Sequence, residues 1–212
     1  MSPYLQTIRD NLDKRYRKER RFQWYGRIAI SIGLLFLGFL LLITIGNAYT
    51  ALKQTYIGLE IELTEDDFDN DLSASSISKA SYGRIIKRSL REAFPDVTKR
   101  KAKKELYGLV SGSAEYDLRD QVIENPSFIG TKQTYWLLAD DEVDVFMKGR
   151  IDRTIDEGSR RIKDSTLGWI DTLKEQGLIR KQFNAPLFSN GDSRDPEQAG
   201  IRGAIMLSLI HI

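Results

Sequence analysis

The sequence predicts a membrane protein with one N-terminal transmembrane α-helix, a mixed α/β, helix-rich extracytoplasmic domain, and the start of a second transmembrane helix. Three observations carry this. Residues 28–52 hold no charged side chain. The flanks differ in charge: residues 1–27 carry eight Lys/Arg against three acids, a net of +5, whereas residues 53–72 carry one Lys and seven acids. From Ala199 onward the composition turns apolar again, broken only by Arg202.

The first segment is a basic N-terminus, residues 1–27. Short Lys/Arg-rich loops stay in the cytoplasm, so this flank sets the N-terminus inside and the domain outside. Its run KRYRKERR, residues 14–21, is read as topology signal and lipid-headgroup contact; nucleic acid is not an expected partner. The membrane helix is placed at residues 28–49, and 22 residues rise about 33 Å, enough to cross the hydrocarbon core. Trp24 and Tyr25 precede it and Tyr49 and Tyr56 follow, as aromatic residues do at the two interfaces. A cleavable signal peptide is the competing reading; its apolar core is shorter and a small-residue cleavage site should follow, where Ala48-Tyr49-Thr50 matches poorly. A buried helix of a soluble protein is the other, and the unbroken apolar run opposes it.

Residues 50–198 form the extracytoplasmic domain. Alternation of Ile57, Leu59, Ile61 and Leu63 with Gly58, Glu60 and Glu62 predicts a half-buried strand. Thr64 to Ser78 is acidic and Ser-rich and reads as a solvated loop. Tyr82, Ile85, Ile86, Leu90 and Phe94 mark one helical face, stopped by Pro95. The basic run from Lys99 leads into a helix carrying Leu106, Leu109 and Val110 and ending near Gly112. Ser113 is the expected N-cap of the next helix, with Tyr116, Leu118, Val122 and Ile123, ended by Asn125-Pro126. A short strand at Thr134–Ala139, helices at Glu142–Lys148 and Asp164–Gln176, the latter closed by Gly177, and an apolar strand at Leu178–Phe183 complete the domain. These elements predict that residues 53–198 fold alone. Residues 199–212 read as the start of a second membrane helix, with Pro196 and Glu197 suited to a helix beginning.

The chemistry-bearing residues are few. There is one histidine, His211, and no cysteine, so histidine triads, multi-histidine metal sites, thiolate sites and disulfides are excluded within this chain. No P-loop pattern occurs. No catalytic, cofactor or metal site is expected. Asp67, Asp69 and Asp71 have the opening spacing of a calcium loop, but Leu72 and Ser78 stand where that geometry requires Gly and Glu. Asp140, Asp141, Glu142 and Asp144 crowd a helix start, where acids favour the dipole. The one candidate contact surface is the patch Lys99, Arg100, Lys101, Lys103 and Lys104, read first as a solvated helix face and second as an interface for an acidic or anion-binding partner.

Several stretches together resemble a known family. They are RYRKERRFQWYGRIAI at 15–30, ALKQTYIGLEIEL at 51–63, KELYGLVSGSAEYDLRDQV at 104–122, DDEVDVFMKGRIDR at 140–153, WIDTLKEQGLIRKQFN at 169–184 and FSNGDSRDPEQAGIRGAI at 188–205. The chain resembles the N-terminal part of phosphate ABC-transporter permeases of the PstA type, in the form with a large insert after the first membrane helix. The resemblance implies phosphate import at the bacterial inner membrane. It implies as partners a second permease subunit, a cytoplasmic ATPase and a periplasmic phosphate-binding protein. It assigns no transport residue, because those positions would follow residue 205. In the family the permease core with further membrane helices should follow residue 205, whereas residues 207–212 resemble translated adapter sequence. One complete membrane helix cannot enclose a path for an ion, so this stretch is expected not to transport alone. The rival classes are a bitopic inner-membrane sensor or adaptor with a periplasmic domain, and a membrane-anchored enzyme, which the missing catalytic constellation disfavours.

Overall fold

The computed structural model describes residues 3–69 and 71–210 and divides into two compact units, residues 1–50 and 51–212. The first is one helix, α1, Pro3–Ala48. It is longer than the apolar segment because nothing between Pro3 and Arg27 breaks it: that stretch contains good helix formers and no internal proline. Its stretch from Tyr16, with the short 3-10 turn Tyr49–Leu52 that follows, is long and apolar enough to cross a membrane. The apolar side chains are exposed, Leu35 and Phe36 each at 72%.

The second unit is helix-rich with a small sheet. Strand β1, Lys53–Glu62, is central; β2, Lys132–Leu138, and β3, Ile179–Phe183, flank it, both antiparallel. The alternation seen in sequence is the burial pattern: Ile57, Leu59, Ile61 and Leu63 are sealed in the core. Glu60 and Glu62 on the opposite face stay in water. On that face Gly58 sits under the Trp136 ring, where an added Cβ would stand 3.3 Å from the indole and 3.2 Å from Leu178 and Thr134. The Arg180 guanidinium lies 3.9 Å from the same ring's centroid, a close cation–π contact.

Helices α2 (Ala74–Lys79), α3 (Tyr82–Ala93), α4 (Arg100–Tyr107), α5 (Ala114–Glu124), α6 (Asp141–Met147) and α7 (Asp164–Glu175) add to one hydrophobic cluster with the inner sheet face. Ile85, Ile86 and Leu90 of α3 bury as the periodicity requires. Gly177 takes the left-handed φ of +71° that ends α7, a conformation in which a Cβ would be strained.

Five expectations are corrected. The Thr64–Ser78 loop is structured. It holds a 3-10 turn at Glu65–Phe68 and all but the last residue of α2, because Phe68, 1% exposed, reaches the core against Tyr82 at 6.3 Å between ring centroids. Helix α4 stops at Tyr107, short of Gly112. Leu109 and Val110 still bury, Leu109 from the turn that follows α4 and Val110 from a bridge to Ala139, beside which Ser111 N–H bonds Leu138 O at 2.9 Å. Ser113 precedes α5 as expected but does not cap it: its hydroxyl meets that of Ser111 at 2.8 Å instead. Tyr116 and Ile123 face outward, since Leu118 and Val122 already fill the buried side of α5. Strand β3 is an edge strand with Arg180, Lys181 and Phe183 exposed, so it is less apolar in role than its sequence suggests.

Polar contacts fasten the two ends of this unit together. Asn184 N–H donates to Leu52 O at 2.9 Å, and its side-chain amide donates to Ala51 O at 3.0 Å. The Gln54 amide donates to the Glu197 carbonyl, and the Ser111 hydroxyl to the Glu197 carboxylate. Helix α8, Pro186–Ser189, is tied to the chain leading into α9, Arg202–Ile210, by Ile201 N–H to Leu187 O and Gly200 N–H to Gly191 O, each 2.8 Å. Gly200 admits no side chain, because a Cβ would press on the Asn190 and Pro186 carbonyls.

Candidate partner surface

The basic patch is a helix face. Lys99 lies at the N-cap position of α4 without a side-chain capping bond, and its carbonyl accepts from Lys103 N–H at 2.9 Å. Leu106, fully buried, fixes the inner side of α4. At 3.6 residues per turn this sends Arg100, Lys101 and Lys104 to solvent together, with Lys99 exposed beside them. Lys103 falls on the shoulder of the buried stripe and is half-buried. The four exposed cations and Lys103 therefore form one surface, as the sequence indicated.

Geometry adds members that the sequence did not mark. Tyr107, at the end of α4, receives a hydrogen bond from Arg91 at 3.1 Å, and Lys87 Nζ stands 5.8 Å from its ring centroid. Lys87 and Arg91 are four residues apart on the outer side of α3, so the patch spans two helices. That spacing was visible, but only the packing of α3 on α4 shows that it faces the same way. The one acid within α4, Glu105, is neutralised by an ion pair with Lys163, which holds its carboxyl below the ordinary range. The surface is thus net cationic and apt for anions or acidic protein faces.

The acidic clusters resolve into structural roles. Asp67 is 6% exposed and grips Arg88 with both oxygens at 2.8 Å, while Thr64 N–H and hydroxyl donate to it at 3.0 and 2.9 Å. Asp71 accepts from Ser73 and Ser76 at the start of α2. These carboxylates do not converge on one point, and no group of three ligating side chains occurs among the described residues. Asp140 caps α6 by accepting from Glu142 N–H at 3.2 Å. Burial, aided by Asp141 and Glu197, raises its carboxyl to about 7. Asp144 departs from the expected dipole role: it is buried, takes Thr55 N–H at 2.9 Å and pairs with Lys148. His211 lies outside the described residues.

The model of one protein family, described as a domain of unknown function, DUF3333, matches residues 9–157. No curated protein and no solved structure matches the chain.

Proposed function

The chain belongs to the DUF3333 family, and from its sequence resemblance to PstA-type permeases we propose that it is the N-terminal region of the membrane permease subunit of an ATP-driven phosphate importer. In this reading α1 crosses the bacterial inner membrane with the N-terminus in the cytoplasm. Residues 50–198 are then a periplasmic insert domain, and α9 begins a second crossing. The observation that carries the membrane part is α1 with the 3-10 turn after it: residues 28–52 are 25 successive uncharged residues whose apolar side chains are exposed, behind a flank of charge +5. The phosphate part is supported by the six family-like stretches, which run from the basic flank to the start of α9. The partners follow from the same likeness: a second permease subunit, a cytoplasmic ATPase and a periplasmic phosphate-binding protein, with lipid around α1.

Orientation is tested by reporters fused after Asn184. A reporter active only in the periplasm should work there, and one active only in the cytoplasm should be silent; the opposite pattern overturns the orientation and every partner inferred from it. Phosphate import is tested in cells whose native gene is deleted. High-affinity phosphate uptake should fall and return with the intact gene, and unchanged uptake removes the permease reading in favour of the sensor or adaptor.

The phosphate-delivering protein is assigned to the cationic surface of α4 and α3. Lys101→Glu, Lys103→Glu and Lys104→Glu together should weaken its association about tenfold at low salt, a loss of about 1.4 kcal/mol. The gap should narrow as ionic strength rises, because exposed charges are screened. Equal binding by the reversed protein removes the patch from the interface.

A further inference from the structure

The tied ends of the domain carry an exposed aromatic pair with no role in the core. Phe183 and Phe188 stack with ring centroids 5.8 Å apart and planes 7° from parallel, at 64% and 49% exposure. Leu52 and Ile201, each 39% exposed, belong to the same fastened segments. Lys53 pairs with Phe183 across the sheet and is exposed, as is Arg202 one residue beyond Ile201.

Chain reach fixes how far this cluster can lie from the end of the apolar helix. Leu52 is three residues after Tyr49, and three residues span at most about 11 Å. Asn184 N–H is bonded to Leu52 O at 2.9 Å, so its neighbour Phe183 is held close to Leu52. On the other side Ile201, bonded to Leu187 beside Phe188, leads directly into α9, whose Ile205, Met206, Leu207 and Leu209 are exposed. Two apolar segments thus leave the domain from one end, and the stacked rings lie between their starting points along the chain. Exposed aromatic rings flanked by Lys and Arg match the chemistry of the bilayer interface, where rings enter the acyl boundary and cations reach the headgroups.

On the reading that α1 crosses the membrane, we infer that Phe183 and Phe188 seat this end of the domain in the interfacial layer of the outer leaflet, so that the domain rests on lipid as well as hanging from its helices. The far end of the domain supplies an internal reference. Strand β1 has ten residues, about 33 Å of extended chain, and Thr131 lies beyond its other end, where Gly130 N–H bonds Leu63 O.

The chain has no cysteine, so single nitroxide labels can be placed without a background. The full chain in nanodiscs would carry a label at Ser189→Cys, next to the pair, at Thr131→Cys, or at Leu40→Cys within α1. Relaxation by oxygen and by a water-soluble nickel complex gives the depth of each. The Ser189 and Leu40 labels should both favour oxygen and the Thr131 label the nickel complex. Adding Phe183→Ser and Phe188→Ser should move the Ser189 label toward nickel accessibility. A Ser189 label that matches Thr131 while Leu40 remains in lipid overturns the inference alone. A Ser189 label shielded from both quenchers also overturns it, since protein then covers the pair. A water-accessible Leu40 label overturns the membrane reading itself.

Discussion

Phe68→Ala should destabilise the domain by about 3–5 kcal/mol, the cost of emptying a fully buried aromatic site. Phe68 is 1% exposed and meets Tyr82 edge-on at 6.3 Å. Tyr82 in turn donates its hydroxyl to Ile77 O at 2.7 Å, so the ring joins the 3-10 turn, α2 and α3. Domains of this size are stable by about 5–15 kcal/mol, and the loss is a large share of that. Urea unfolding of the full chain in detergent, followed by tryptophan fluorescence, measures it: Trp169 packs partly buried against the core beside Phe94. A change under about 1 kcal/mol would mean that Phe68 stays in water and the segment is the loop its composition suggests.

Asp67→Ala should cost about 2–3 kcal/mol at neutral pH, and that cost should fade in acid. The substitution strips Arg88 of its two-pronged partner and leaves Thr64 N–H without an acceptor. Removing one partner of a deeply buried pair costs more; the Arg88 side chain is 34% exposed, and water takes up part of the loss. Burial by itself pushes the Asp67 carboxyl up, but the Arg88 and Thr64 hydrogen bonds outweigh it and leave the group below its ordinary value. A depressed folded value means that the stabilisation is complete above the unfolded carboxyl value of about 3.9 and is lost as pH falls through the lower folded value. The stability difference between the native chain and Asp67→Ala should therefore be constant above about pH 5 and shrink below about pH 4. A difference independent of pH would exclude the ion pair as its source.

Legibility in the sequence followed the range of the interactions. The alternation of Ile57, Leu59, Ile61 and Leu63, the α3 face of Ile85, Ile86 and Leu90, and the Gly177 stop are local periodicities or backbone constraints, and each appears in the fold where it was read. Phe68 was lost because its neighbours Asp66, Asp67 and Asp69 make the segment look solvated, whereas Arg88, 21 positions later, neutralises Asp67. Leu109 and Val110 share the spacing of a helix but leave it after Tyr107, where bridging to Ala139 competes successfully with another helical turn. The cationic surface was half legible: α4 declares its own charges, while Lys87, Arg91 and Tyr107 join only through tertiary packing. Gln54 and Glu197 gave no sign of their partnership, which depends on two chain ends meeting.

The position of β1 in the sheet has a consequence for the order in which the domain can assemble. It is the first strand to follow α1, yet it is the middle strand, and its neighbours arrive only with residues 132–138 and 179–183. Lys53 must wait for Phe183, and Tyr56 for Leu138. Until then Ile57, Leu59 and Ile61 have unpaired backbone on both edges while most of the domain's chain has yet to be made. Such long-range pairing is slow, because each loop must close before the contact rewards it. Helices α2 to α5, lying between β1 and β2 in the chain, can cover the inner face of β1 first, which leaves the last strand, β3, to close the sheet and bring Asn184 back to Leu52.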